Sequence, residues 1–443
     1  MIQSAAAFAG KRYAVLGLAR TGLAVVRSLR ASGAQVTAWD SRDEPRQQVL
    51  AEYGANVELA DPVSTDLTGY AGVVVSPGVP LNRHPITEAA ARYDVPLIGD
   101  IELFAQARPN LPDHRVVGIT GTNGKSTTTA LIHHLLQTAG VPSEMGGNIG
   151  LPILGQPPLA AGGVYVLELS SYQIDLTIRL DCDVAVLLNA TPDHLERYGS
   201  FDAYVASKAR LFGMQGFGHL AIIDYRAEMD EDILRFAPDG QPFQFIDAID
   251  LPGDQSEWAS LQGPHNRANA AAAVATVRWL GLDDATIVAG LKTFNGLPHR
   301  MERVAEANGV IFINDSKATN PASAAPALAA FPPNPDRRIH WILGGLPKGN
   351  DLDECLPFFG NVAAAYTIGD AGPRFAEILE PHVPVERSEM MCEAIRQAIE
   401  AAKPGDVVLL SPACASFDQF RDYEARGDTF RQIVDALLNG EEC

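Results

Sequence analysis

The sequence predicts an α/β protein of three domains, each built around a parallel sheet. Three observations carry that expectation. The chain has 443 residues, more than one hydrophobic core serves and enough for about three domains of ordinary size. Short apolar runs alternate with helical stretches, the pattern of strand–helix–strand units. Several of those runs end in glycine, serine or a carboxylate, as strands do where ligands bind at the carboxyl edge of a doubly wound sheet.

In chain order, the runs over 13–16, 35–39, 72–75 and 96–98 read as buried strands of a first domain, residues 1–99. The pattern loosens at Arg108-Pro109-Asn110-Leu111-Pro112, a connector, and a strand over 115–120 follows it. The second domain, 100–297, includes an alanine-rich stretch over 268–275 that reads as helix. The third, 298–443, begins after Gly296-Leu297 and carries strands over 339–343, 364–368 and 407–410, a second doubly wound pattern.

Composition narrows the function classes. With 47% hydrophobic and 20% charged residues the chain reads as globular, and no apolar run approaches the ~18 residues of a membrane span. The first ten residues lack basic residues ahead of an apolar stretch, so a secretory leader is not expected and the protein should be cytoplasmic. Five cysteines stand apart with no C-x-x-C spacing, which speaks for a reducing compartment and against a cysteine metal site. A net charge of −20 disfavours nucleic acid and anionic lipid as partners, while a pocket with a few local cations still suits an anionic small molecule.

Gly121-Thr122-Asn123-Gly124-Lys125-Ser126-Thr127-Thr128-Thr129 follows the 115–120 strand and opens a helix that should end near Gly140 and Pro142. That context makes the central domain P-loop ATPase-like. Backbone N–H groups can close around phosphate oxygens, the helix start adds its positive dipole end, Lys125 can reach the β- and γ-phosphates, and Ser126 can ligate Mg2+. Ile119 stands where a strict phosphate loop has its first glycine, so a plain glycine-rich turn is the alternative.

Other motifs gain weight from company. The 164–167 run ends in Glu168, well placed for Mg2+ if a phosphate loop lies beside it, although such a residue alone is more often an exposed charge. The 184–188 run leads into Asn189-Ala190-Thr191-Pro192-Asp193-His194, with Lys208 further on. Gly17-Leu18-Ala19-Arg20-Thr21-Gly22, followed about twenty residues on by Asp40, is a dinucleotide-type fingerprint and marks a Rossmann-like first domain. Ala19 replaces its middle glycine, which disfavours NAD and leaves a uridine nucleotide possible. Asn266 and Asn269, at the start of the alanine-rich helix, could meet an adenine edge or cap the helix. Polar loops at His299-Arg300, 314–320, 344–349 and 411–420 read as ligand loops or as solvated ones.

Taken in order, from the phosphate loop through Glu168, Asn189 to His194, His265-Asn266, His299-Arg300 and 314–320, these segments resemble the Mur ligase family over essentially the whole chain. Val75-Ser76-Pro77-Gly78-Val79-Pro80, Gly99-Asp100-Ile101-Glu102-Leu103-Phe104 and 411–420 with Arg426-Gly427-Asp428 are similar to its D-glutamate-adding branch. The resemblance implies ATP-dependent ligation of D-glutamate to UDP-N-acetylmuramoyl-L-alanine through an acyl phosphate, a cytoplasmic step towards peptidoglycan carried out by a monomer.

It also implies residue roles. Lys125 would neutralise phosphates, Ser126 and Glu168 would hold one Mg2+, and His194 with a carbamylated Lys208 a second. Gly121, Thr122, Asn123, Gly124, Thr127, Thr128, Asn266, Asn269, Arg300, Asp315 and Lys317 would contact ATP. Arg20, Thr21, Asp40, Ser41, Arg42, Ser76, Gly78 and Asn148 would bind the uridine-nucleotide precursor. Lys317, Thr319, Lys348, Ser416, Phe417 and Tyr423 would surround D-glutamate or the phosphates, in a third domain expected to close when ligands bind. The alternatives are another amino-acid-adding ligase, such as a folylpolyglutamate synthase, and a nucleotide-dependent binding protein that forms no bond.

Overall fold

The computed structural model describes residues 5–223, 240–258, 260–347, 349 and 351–441. Among these the chain forms two compact units. One comprises Met1–Pro252 with Ala271–Ala289, and the other Gly253–Ala270 with Gly290–Cys443.

The first unit begins with five parallel strands: β1 (Arg12–Leu16), β2 (Gln35–Trp39), β3 (Glu58–Leu59), β4 (Tyr70–Val75) and β5 (Leu97–Ile98). Their order is β3-β2-β1-β4-β5. Strand succession reverses between β1 and β4, which opens a crevice at their carboxyl ends where Gly17 and Ser76 lie.

Its second sheet holds β6 (His114–Thr120), β7 (Ser143–Gly147), β8 (Gly163–Glu168), β9 (Val184–Leu187), β10 (Leu220–Ile223) and β11 (Phe243–Phe245), in the order β11-β10-β9-β6-β8-β7. All its pairings are parallel. The register sets Ile119 against Glu168, Thr120 against Leu187 and Gly147 against Glu168, so the loops after β6, β7, β8 and β9 leave one edge together. One apolar core, with Val25, Leu29, Ile101, Phe104, Tyr165 and Leu167 among its members, runs through both sheets. That shared core is why residues 1–99 and most of the stretch that follows, up to Pro252 with Ala271–Ala289, form one unit.

The second unit carries β12 (Glu302–Ala307), β13 (Val310–Asn314), β14 (Ile339–Gly344), β15 (Val362–Ile368), β16 (Val385–Glu389) and β17 (Val407–Leu410), in the order β12-β13-β17-β14-β15-β16. It is parallel except for edge strand β12, which pairs antiparallel with β13. Separate apolar clusters cover its two faces, one centred on Trp341 and Leu343 and the other on Ile342 and Phe430.

No helix among the described residues is long and apolar enough to cross a membrane. Cys182, Cys355 and Cys414 are buried and outside any disulfide, whereas Cys392 is disulfide-bonded, a pairing the scattered spacing did not foretell.

Candidate active site

β6 delivers the chain into the phosphate loop, and the helix Lys125–Thr138 leaves it with Gly124 as a left-handed N-cap, φ 84°. Asn189, from the loop after β9, holds the turn. Its Oδ1 accepts from the N–H groups of Thr122 (3.1 Å) and Asn123 (2.9 Å), and its amide donates to the Asn123 carbonyl at 3.0 Å. Lys125 Nζ donates to the carbonyls of Gly121 (2.9 Å) and Thr122 (2.8 Å). The loop therefore presents a cation together with the amide-rich start of a fourteen-residue helix.

Glu168, the last residue of β8, is 2% exposed. Ser126 Oγ donates to its Oε2, and Asn148 Nδ2 to its Oε1 at 2.9 Å. Two neutral donors around a buried carboxylate suit a hard divalent cation that uses oxygen ligands and substrate phosphates. No group of three or more His, Cys, Asp and Glu that could hold a metal occurs among the described residues. The oxygens of Ser126 and Glu168 fit Mg2+ because that ion keeps water and phosphate in its remaining positions.

Lys208 lies 2% exposed in the helix Phe201–Gly213, its Nζ donating to Gly121 O at 2.9 Å and 4.5 Å from the Tyr204 ring centre. Burial, then repulsion from Lys125, pulls its ammonium down to about 7, against the opposing charges of Asp193 and Asp175. His194 is exposed, in a left-handed conformation (φ 54°), with its ring 5.0 Å from that of Tyr172.

At the first sheet's crevice, Asp40 Oδ2 accepts from Leu18 N at 2.8 Å, and its Oδ1 from Arg42 N at 3.0 Å. Although burial opposes ionisation, the Arg42 side chain and these N–H groups hold the Asp40 carboxyl at about 2. Ala19 is extended (φ −69°), a conformation that does not call for glycine. Gly22 is the demanding position, since a Cβ there would collide with the Gly17 carbonyl oxygen. Ser76 Oγ donates to that oxygen at 3.0 Å, and Arg20 reaches across to the Gly150 carbonyl. Ser41, Arg42 and Gly78 are exposed at the rim.

In the second unit, Asp315 sits after β13, accepting from Met301 N (3.1 Å) and Ser411 Oγ (2.9 Å). Burial pushes it up to about 7, offset by the Ser411 and Met301 hydrogen bonds and the charges of Arg300 and Arg426. Lys317 Nζ lies 3.7 Å from the Tyr423 ring centre. Asn269 donates to Asn266 Oδ1 (3.1 Å) and Asn266 to the Gln262 carbonyl (3.1 Å), so both lie inside the helix Pro264–Trp279 rather than capping it. Thr319 is half-buried, Ser416 buried, and Phe417 69% exposed. Lys348 lies outside the described residues.

Three family models match in chain order. They are a MurD-like N-terminal domain over 11–99, a Mur ligase middle domain over 119–277 and a Mur ligase glutamate ligase domain over 299–414. The chain is 65% identical over 440 residues to the UDP-N-acetylmuramoylalanine–D-glutamate ligase of Novosphingobium aromaticivorans, covering 99% of itself and 97% of that relative. The chain belongs to the Mur ligase family.

The like-named ligase of Sphingopyxis alaskensis is 59% identical, with 97% and 98% of the two chains covered. Among solved structures, a MurF ligase of Thermotoga maritima in complex with ADP superposes with a TM-score of 0.60 at 16% identity, covering 98% of this chain and 97% of that one. The UDP-N-acetylmuramate–alanine ligase of the same organism gives 0.56 at 17%, covering 97% and 100%. Both share the Mur ligase fold.

Within this Mur ligase, the first unit brings Lys125, Ser126, Asn148, Glu168 and Lys208 into one cluster. Two residues escaped the sequence reading. Asn189 was seen only as part of a loop, yet it fastens the phosphate loop. Arg426, seen only as part of a motif, is 1% exposed and donates to Ser316 Oγ and to the carbonyls of Ser316, Cys414 and Ala415. Only its burial inside the C-terminal helix Tyr423–Leu438 reveals its role, because a buried arginine must be bonded, and burial is not written in the sequence.

Proposed function

We propose that this Mur ligase joins D-glutamate to UDP-N-acetylmuramoyl-L-alanine at the expense of ATP, in the cytoplasm, with domains bounded at 1–99, 100–297 and 298–443. The observation that carries the reading is 65% identity across 99% of the chain to a ligase named for those two substrates. The folylpolyglutamate alternative is represented by the FolC of E. coli, which superposes with a TM-score of 0.54 at 19% identity over 77% of this chain, a likeness of fold alone.

A carboxylate does not acylate an amine until it is activated, and phosphorylation by ATP supplies the leaving group. The L-alanine carboxylate attacks the γ-phosphorus and ADP departs; the D-glutamate amine then attacks the acyl phosphate and phosphate leaves. Lys125 and the helix start behind it offset charge on the phosphates. Ser126 and Glu168 would hold one Mg2+, and His194 with Lys208, carbamylated, a second. When bound, these ions would neutralise phosphate charge and align the reacting oxygens. Arg20, Thr21, Asp40, Ser41, Arg42, Ser76, Gly78 and Asn148 are assigned to the precursor. In the second unit Asn266, Asn269, Arg300, Asp315 and Lys317 are assigned to nucleotide, and Lys317, Thr319, Lys348, Ser416, Phe417 and Tyr423 to D-glutamate.

The test is phosphate release with Mg2+, ATP and UDP-N-acetylmuramoyl-L-alanine in the presence of D-glutamate, L-glutamate or no amino acid. Release that requires D-glutamate, with a product one glutamyl residue heavier, is expected. Release indifferent to D-glutamate would overturn the substrate assignment.

A further inference from the structure

Asp100 opens the helix Asp100–Ala107, where the first domain passes into the central one. It is 2% exposed, and neither carboxylate oxygen has a hydrogen-bond partner. A buried carboxyl left in this state is costly, and the fold keeps it here. Burial pushes it up to about 6, only partly offset by the nearby N–H groups of Ile101 and Asp100, neither of which meets the geometry of a hydrogen bond to it.

The side chain lines a cavity of about 10 Å³, room for one water molecule. The other polar walls are Thr21 and Ser76, and the remainder are Gly22 and four valines. The cavity therefore lies directly beneath the crevice at the ends of β1 and β4. Ser76 already grips the Gly17 carbonyl, and Gly22 packs against the same oxygen. Whatever fixes Thr21 and Ser76 fixes the whole loop after β1.

We propose that Asp100 is a positioning residue for the uridine-nucleotide substrate, its carboxyl holding Thr21 and Ser76 in place through one water bound in this cavity. The inference rests on the reading of the 17–22 loop and Ser76 as the precursor site. A water there would be surrounded by three polar residues of complementary kinds, a carboxyl and two hydroxyls, the number of partners a buried water ordinarily satisfies.

Steady-state kinetics on Asp100→Leu, Asp100→Asn and Ser76→Ala, with each of the three substrates varied, tests it. Asp100→Leu replaces the polar wall with hydrocarbon and should raise KM for UDP-N-acetylmuramoyl-L-alanine about tenfold, with kcat and the KM for ATP within about twofold. Asp100→Asn keeps a partner for the water and should stay within about twofold throughout. An unchanged precursor KM in a folded Asp100→Leu, or a fall in kcat with every KM disturbed, overturns the proposal. If the leucine variant does not fold, calorimetric binding of the precursor to Asp100→Ala decides on the same terms. Ser76→Ala separates the two readings. A raised precursor KM there, with Asp100→Leu unaffected, removes Asp100 alone, whereas an unchanged KM in both removes the loop as the precursor site and the inference with it.

Discussion

Lys208 shows how far one side chain's surroundings dictate its chemistry. Buried, and facing Lys125, its ammonium is held down to about 7, so much of it is a free amine at neutral pH. A free amine can add to carbon dioxide, forming an N–C bond and releasing a proton, and the product is an anion able to ligand Mg2+. We expect native mass spectra of the protein to carry one added carbon dioxide, lost in Lys208→Met. Activity should fall in buffer stripped of carbon dioxide and return with bicarbonate, and the loss should deepen as pH drops below 7, where the amine becomes protonated. Full activity in stripped buffer at pH 7 would show that the amine works unmodified. Lys208 was legible because its position matched a family pattern, and Glu168 because it ended an apolar run. Asn189 was not, since its worth lies in bonds to residues far away in sequence.

At the scale of elements, the strands read correctly were mostly the interior ones, whose near-continuous apolar runs follow from burial on both faces. The strands overlooked include β7 (Ser-Glu-Met-Gly-Gly), β12 and β16, all at sheet edges, where half-exposed positions admit charge and glycine. β7 matters most to the site. Its last residue, Gly147, has φ 84°, and a Cβ there would strike the carbonyl oxygen of Glu168. Gly140 offers a comparison at φ 72°, with nothing within 4 Å of its would-be Cβ. Both Gly→Ala changes carry the strain of a left-handed alanine, about 1 kcal/mol. Only Gly147→Ala should also displace the carboxylate, so we expect kcat to fall at least about tenfold there and hardly at all in Gly140→Ala. Equal turnover in the two variants would mean that Glu168 tolerates displacement.

For the whole molecule, the net charge of −20 sets a long-range field that opposes two polyanionic substrates, and local cations such as Arg20 and Lys125 act only at short range. Raising ionic strength from about 0.01 M to 0.1 M shortens the screening length from roughly 30 Å to 10 Å. We therefore expect kcat/KM for the precursor to rise over that interval; a steady fall would mean that local attraction outweighs the global field. The sequence marked three domains from composition and motif order, but it could not show that the first two share one core, because shared cores are a property of packing. Nor could it show that the chain passes between the two compact units at 252/253, 270/271 and 289/290, with the helix Pro264–Trp279 straddling the middle passage. That path has a consequence during synthesis. The described strands of the first unit have all been synthesised by Phe245, yet its last segment, Ala271–Ala289, follows only after residues 253–270, which belong to the other unit. The nascent protein must therefore keep a finished pair of sheets waiting for their final piece, and no single cut can release either unit whole.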